Sequence, residues 1–255
     1  MEKLVIRNFA GIREADIEIK SFNVIIGEQR NELTKLIHFL REILINPNTV
    51  AKLFKSYFPS YNHKLDVSYK TEEAEITVWL KDNDIKVELN KPKGIRETVY
   101  IPAKRTSPIV FPSLLLEKNS KFMIIEDVDL HLFPKRHKEV VFYISKLRNM
   151  LNNLIVLTTN SPYVLSAINS LLLAGNVMNE NSKDEIERLI GRDTALKFED
   201  VGAYEIEDNE IRPFLNHENR LLGCNVIDKA AEEYEELFDN IMEIDLLFDK
   251  QEKLW

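Results

Sequence analysis

Residues 122–127 read Phe122-Met123-Ile124-Ile125-Glu126-Asp127, and this stretch decides the fold class. Four apolar residues run without alternation, as in a strand covered on both faces, and end on two adjacent acids. A helix is predicted from Pro134 to Leu151, because proline suits a first helical position. Leu154-Ile155-Val156-Leu157-Thr158-Thr159 is the next buried strand, and Ser161-Pro162 opens another helix through Leu173. Strand, acidic pair, helix, strand, helix is a parallel βαβ unit, so the expected class is α/β. In such sheets the active groups gather at the carboxyl ends of the strands. Glu126-Asp127 and Thr159-Asn160 both fall there.

Upstream, Phe22-Asn23-Val24-Ile25-Ile26 is a third buried run, ending at Gly27. Before it, Lys3 to Phe9 partly alternates and Glu14 to Lys20 alternates strictly, as hairpin partners do, with Gly11 as the turn. After it, Leu33, Leu36, Ile37, Leu40, Ile43 and Leu44 recur at helical spacing until Pro47. Residues 1–48 thus hold N-terminal strands, a tight turn and a first helix. Residues 49–105 form a β-rich middle: a helix at 49–61, then strands at Leu65–Tyr69, Glu75–Lys81, Ile85–Leu89 and Thr98–Ile101, with Asp82-Asn83-Asp84 as a hairpin turn. Residues 106–121 are a short connection, 122–175 the α/β block, and 176–255 C-terminal strands (203–206 and 210–212) with a helix at 227–247. That last helix is acidic, with Tyr234, Leu237, Phe238, Ile241 and Ile244 on one face. One domain over 1–255 is expected, with a mixed central sheet, an N-terminal antiparallel β-subdomain and a helical C-terminal tail.

Composition excludes several classes. The 255 residues are 44% apolar and 30% charged, enough for a substantial core. No apolar run reaches the roughly 18 residues of a membrane span and no signal-peptide pattern opens the chain. Cys224 is the single cysteine, which excludes an internal disulfide and fits a reducing cytoplasm. A net charge of −8 argues against wholesale coating of nucleic acid, leaving local patches such as Lys135-Arg136-His137-Lys138. Glycine is scarce: seven residues, against a usual proportion of about 7%.

Four linked segments resemble one family. Leu4-Val5-Ile6-Arg7-Asn8-Phe9-Ala10-Gly11-Ile12, followed by Val24-Ile25-Ile26-Gly27-Glu28, resembles the start of ATP-binding-cassette ATPases of the SMC, RecF and OLD-nuclease group, "IKNFKSI" and then "VLIGENGSGKST". Tyr100-Ile101-Pro102-Ala103-Lys104-Arg105 is similar to the "YIPAER" strand end of the OLD-like branch. Ile125-Glu126-Asp127-Val128-Asp129-Leu130-His131-Leu132-Phe133-Pro134 resembles its Walker B segment, "IEEPEAHLHP". Leu157-Thr158-Thr159-Asn160-Ser161-Pro162-Tyr163-Val164-Leu165 resembles its switch segment, "ITTHSPYLL". The resemblance implies a P-loop NTPase fold of the ABC ATPase head type, ATP with Mg²⁺ as cofactors, and head-to-head dimers, either with itself or with a cassette ATPase or nuclease partner.

The chemistry departs from that pattern. A phosphate loop needs glycines whose N–H groups wrap the phosphates, a lysine for the β/γ-phosphates, and Ser/Thr for Mg²⁺. Here the loop is Gly27-Glu28-Gln29-Arg30-Asn31-Glu32-Leu33-Thr34. Gly27 and Thr34 sit where the pattern wants them, whereas Glu32 takes the second glycine's place and Leu33 the lysine's. Lys35 comes one residue late, a rotation of about 100° on a helix. Arg30 and Asn31 are the remaining loop candidates for phosphate contact. The resemblance gives Glu126, with Thr34, the role of supporting Mg²⁺, and Asp127 that of the base polarising water. Asp127 is one methylene shorter than the family's glutamate, a retraction of about 1 Å that costs roughly a hundredfold in rate. The alternative for both is two acids exposed at a strand end. Asn160 stands at the switch histidine's position and carries no charge. The connection from Thr106 to Lys121 contains no glycine in Ser107-Pro108-Ile109-Val110-Phe111-Pro112-Ser113, so neither an arm nor a serine–glycine signature is recognisable. His131 is expected to be a packed, hydrogen-bonded histidine.

These features predict weak or absent ATP–Mg²⁺ binding and a partner or scaffold role in a DNA-maintenance or phage-defence type of assembly. The alternatives are an active ATPase that completes its site on dimerisation, and a nucleic-acid binder using the basic helix start.

Overall fold

The computed structural model describes residues 2–9, 12–27, 39, 66–71, 75–81, 84–90, 97–101 and 121–252. The chain separates into two compact units, Met1–Gly223 and Cys224–Trp255. Among its described residues, the first is built on an eleven-stranded mixed sheet.

One half of the sheet is antiparallel. β1 (Glu2–Phe9) and β2 (Ile12–Ile19) pair with Leu4 opposite Ile17 and Phe9 opposite Ile12. β4 (Asp66–Lys70), β5 (Glu75–Lys81) and β6 (Asp84–Asn90) continue as a meander from the other edge of β1. Alternation sorts the faces: Leu4, Ile6, Ala15, Ile17, Val67 and Ile76 are buried, whereas Lys3, Arg13 and Asp16 are exposed.

The other half is parallel. β3 (Phe22–Gly27) lies between β10 (Val201–Glu207) and β9 (Leu154–Thr158), followed by β8 (Phe122–Ile125) and β7 (Thr98–Ile101). β3, β8 and β9 are buried along their whole length, as their predominantly apolar runs require. β11 (Glu210–Pro213) joins the halves, antiparallel to β10 and parallel to β2. Asn23 is a buried polar residue inside β3, and its amide donates to the carbonyls of Lys20 (2.7 Å) and Ile155 (2.8 Å).

α1 (Pro134–Leu151) begins at a proline and ends at Asn152 in the left-handed conformation (φ 52°), which asparagine tolerates. It connects β8 to β9, so the βαβ unit forms as expected. α2 (Pro162–Val177) runs four residues past the expected end at Leu173. The sequence did not announce α3 (Lys183–Ile190), the 3-10 turn Phe198–Asp200, or the small ribbon of β12 (Leu215–Asn216) and β13 (Leu221–Leu222). In the second unit, α4 (Val226–Glu252) is the acidic helix. The expected helices at 31–45 and 49–61 lie outside the described residues except for Phe39. That residue, absent from the expected apolar stripe, is helical and buried, its ring centroid 4.4 Å from that of Phe9.

Acid sensitivity follows from β1 and β2. A hydrogen bond from Lys3 (2.7 Å), helped by Arg7 (3.1 Å), holds the Asp16 carboxyl below the ordinary carboxylate range. A group depressed on folding stabilises the native state fully above its unfolded pKa, about 3.9, and loses that contribution as pH falls through the lower folded value. Urea midpoints measured across a pH series should therefore fall less steeply below about pH 4 in Asp16→Asn than in the parent chain. Both partners are half exposed, so the effect is small.

Candidate functional site

The parallel register places the ends of β3, β7, β8 and β9 along one edge. Ile25 lies opposite Thr158, Leu157 opposite Ile125, and Ile125 opposite Ile101. Gly27, Glu126-Asp127 and Thr159-Asn160 therefore meet at that edge. Arg30, Asn31 and Thr34 lie outside the described residues, as do Lys104, Arg105 and the segment from Thr106 to Ser120.

The acids are not exposed, which corrects the alternative of two solvated carboxylates. Glu126 is 7% and Asp127 8% accessible. Burying carboxylates is costly without hydrogen bonds, and side-chain and backbone hydrogen bonds anchor the segment between its neighbours. Glu126 N–H donates to the Ile101 carbonyl (2.9 Å), and its carboxylate accepts from the Tyr100 hydroxyl (2.7 Å). Asp127 takes a left-handed backbone (φ 44°), which Asp adopts more readily than most residues. Its N–H donates to Thr158 Oγ1 (2.8 Å), and Val128 N–H to the Thr158 carbonyl (3.0 Å).

A second set of bonds ties the acidic loop to the segment after β9. Thr159 Oγ1 donates to Asp129 and accepts from Ser161 N–H (3.0 Å). His137 is buried, with Nδ1 2.9 Å from Ser161 Oγ and Nε2 3.1 Å from the Leu132 carbonyl. A carbonyl only accepts, so Nε2 carries a proton and donates to Leu132. His137 thus plays the packed role expected of His131, which is exposed. The basic cluster is correspondingly reduced to Lys135, Arg136 and Lys138 on the surface, with Arg136 paired to Glu139. Asn160, with its amide oriented to satisfy its neighbours, donates to the carbonyls of Gly27 (3.2 Å) and Thr159 (3.0 Å). Gly27 has a packing reason of its own, since a Cβ there would lie 3.0 Å from Ile206 Cβ.

Thr158 is fully buried, so Thr158→Val removes the acceptor of Asp127 N–H without changing volume. The expected cost is about 1–3 kcal/mol, measured by urea denaturation. Sequence reasoning misses Tyr100 as a neighbour of the acids, although its place two residues before Pro102 puts it near the end of β7.

Two neighbouring buried carboxylates, one oriented by a phenol, are hard oxygen donors suited to Mg²⁺. Among the described residues no three His, Cys, Asp or Glu side chains form a metal-holding group. No helix among them is long and apolar enough to cross a membrane. At the amino ends of β3 and β10, a cavity of about 550 Å³ is lined by Glu18, Lys20, Phe198, Glu199, Tyr204 and Arg220, among others. Among its charges, Arg220 pairs with Glu199 at 2.7 Å, Lys20 with Glu18 at 2.5 Å, and Asp16 with Lys3 and Arg7 outside the lining.

The fold is α/β with a large mixed sheet. Among solved structures, the SMC head domain from Thermotoga maritima is similar, with TM-score 0.49 and 12% identity over 83% of this chain and 97% of that one. An SMC head bound to the C-terminal winged-helix domain of ScpA is also similar, with TM-score 0.45 and 9% identity over 83% and 95%. No family model and no curated protein matches the chain.

Proposed function

We propose that this chain is a cassette-ATPase-fold subunit with weak or no ATP hydrolysis of its own, acting as a partner or scaffold in an assembly of the DNA-maintenance or phage-defence type. The observation that carries this reading is a contrast between the sheet edge and the sequence that follows β3. Glu126 and Asp127 are buried and held by hydrogen bonds, while the sequence after Gly27 has Glu32 and Leu33 where phosphate binding needs glycine and lysine. The OLD-like resemblance supports the type of assembly.

Were nucleotide to bind, it would supply the phosphoryl group. Gly27, Arg30, Asn31 and Thr34 would line its phosphates, Thr34 and Glu126 would hold Mg²⁺, and Asp127 would accept a proton from water. Asn160 would lend a neutral hydrogen bond after leaving the Gly27 carbonyl.

Calorimetric titration with ATP–Mg²⁺ tests the reading. Losing one charge-assisted hydrogen bond weakens binding by about 10- to 150-fold, so affinity should lie in the high micromolar range or weaker. Low-micromolar binding by the chain alone would favour the active-ATPase alternative.

A further inference from the structure

We infer that α4 is a docking helix for a partner protein whose apolar groove is rimmed by lysine and arginine. The inference rests on the reading of the chain as a partner subunit and names the surface through which that role is exercised.

Every residue from Asp228 to Glu243 is exposed. Tyr234, Leu237, Phe238 and Ile241 are 74%, 55%, 63% and 56% accessible. Their spacing of three and four puts them on one stripe, a pattern that ordinarily packs against another element. Glu233 and Glu235 stand about 100° to either side of Tyr234, flanking the stripe. The helix is also preformed at its start: Asn225 Oδ1 accepts from Ile227 N–H (3.0 Å), and the Asp228 carboxylate accepts from Asn225 N–H (3.2 Å). This reciprocal cap lowers the ordering cost of docking.

Charge selects the occupant. Val226–Glu252 holds ten acidic residues and two lysines, a net of −8, which equals the formal net charge of the whole chain. The other 228 residues carry 32 charges of each sign. The acidity of the protein is therefore the acidity of this helix. Two copies packed stripe to stripe would face rows of like charge, and anionic lipid would repel the same face. A groove with an apolar floor and a basic rim satisfies both features, in the helix-in-groove mode.

The probe is a synthetic two-helix hairpin peptide whose leucine seam forms an apolar groove between lysine rims, labelled and titrated with the full chain in fluorescence anisotropy without nucleotide. A control peptide has alanine at the seam. The leucine peptide should bind and weaken as salt rises, and the alanine peptide should not bind. Phe238→Asp should weaken binding about tenfold or more. Should circular dichroism show that Phe238→Asp melts the helix, the Leu237→Ala/Ile241→Ala pair decides. Equal affinity for parent and variants, or salt-independent binding, would overturn the inference. So would sedimentation of the parent as a dimer that Phe238→Asp dissociates, which would make a second copy the occupant. ATP turnover by the chain would overturn the weak-ATPase reading without altering these outcomes.

Discussion

Gly175→Ala is expected to destabilise the first unit by about 3 kcal/mol, at the upper end of the usual overpacking range. A Cβ at position 175 of α2 would sit 2.0 Å from the Leu196 carbonyl oxygen and 2.8 Å from its carbon. The opposing backbone cannot easily retreat. Leu196 is fully buried, and its N–H donates to the Leu171 carbonyl (3.1 Å). The preceding residues are fastened to α1, with Ser145 Oγ donating to the Thr194 carbonyl (2.6 Å) and Asn149 Nδ2 to that of Ala195 (2.9 Å). The melting temperature should fall by roughly 6–12 °C. Leu173→Ala, at an exposed position of the same helix, should change stability by no more than about 0.5 kcal/mol. A Gly175→Ala variant as stable as the parent would contradict this close approach.

The largest functional effect is expected from Glu32→Gly/Leu33→Lys, which returns the loop to the glycine–lysine pattern. The substitution removes a carboxylate that repels a triphosphate and adds the placed positive charge that β- and γ-phosphates require. Affinity for ATP–Mg²⁺ should rise at least about tenfold, and the single Leu33→Lys substitution should recover part of that gain. Unchanged affinity in the double variant would show that the loop sequence is not what limits binding.

The α/β core was legible because its signals are local. β8, α1, β9 and α2 are uninterrupted apolar runs or helical stripes opened by Pro134 and Pro162, and each forms close to where it was expected. α3 escaped because it is eight residues long and buries none of them. The site was legible only as positions. The partners that hold Glu126 and Asp127, Tyr100 and Thr158, arrive from β7 and β9 rather than from sequence neighbours. The same cause exchanged the histidines. His131 follows the acids in sequence, but His137 is one turn inside α1, where the helix aims it at Ser161. For α4 the apolar stripe was visible in the spacing. Its exposure was not, because periodicity reports which face is apolar and not what covers it.

Steady-state phosphate release from ATP–Mg²⁺ by the purified chain, beside Asp127→Asn, separates a weak or silent cassette fold from a working ATPase. The parent is expected to release phosphate at a rate within about tenfold of Asp127→Asn. Turnover by the parent alone that is abolished in Asp127→Asn would contradict the weak-ATPase reading and make Asp127 the base of a working ATPase.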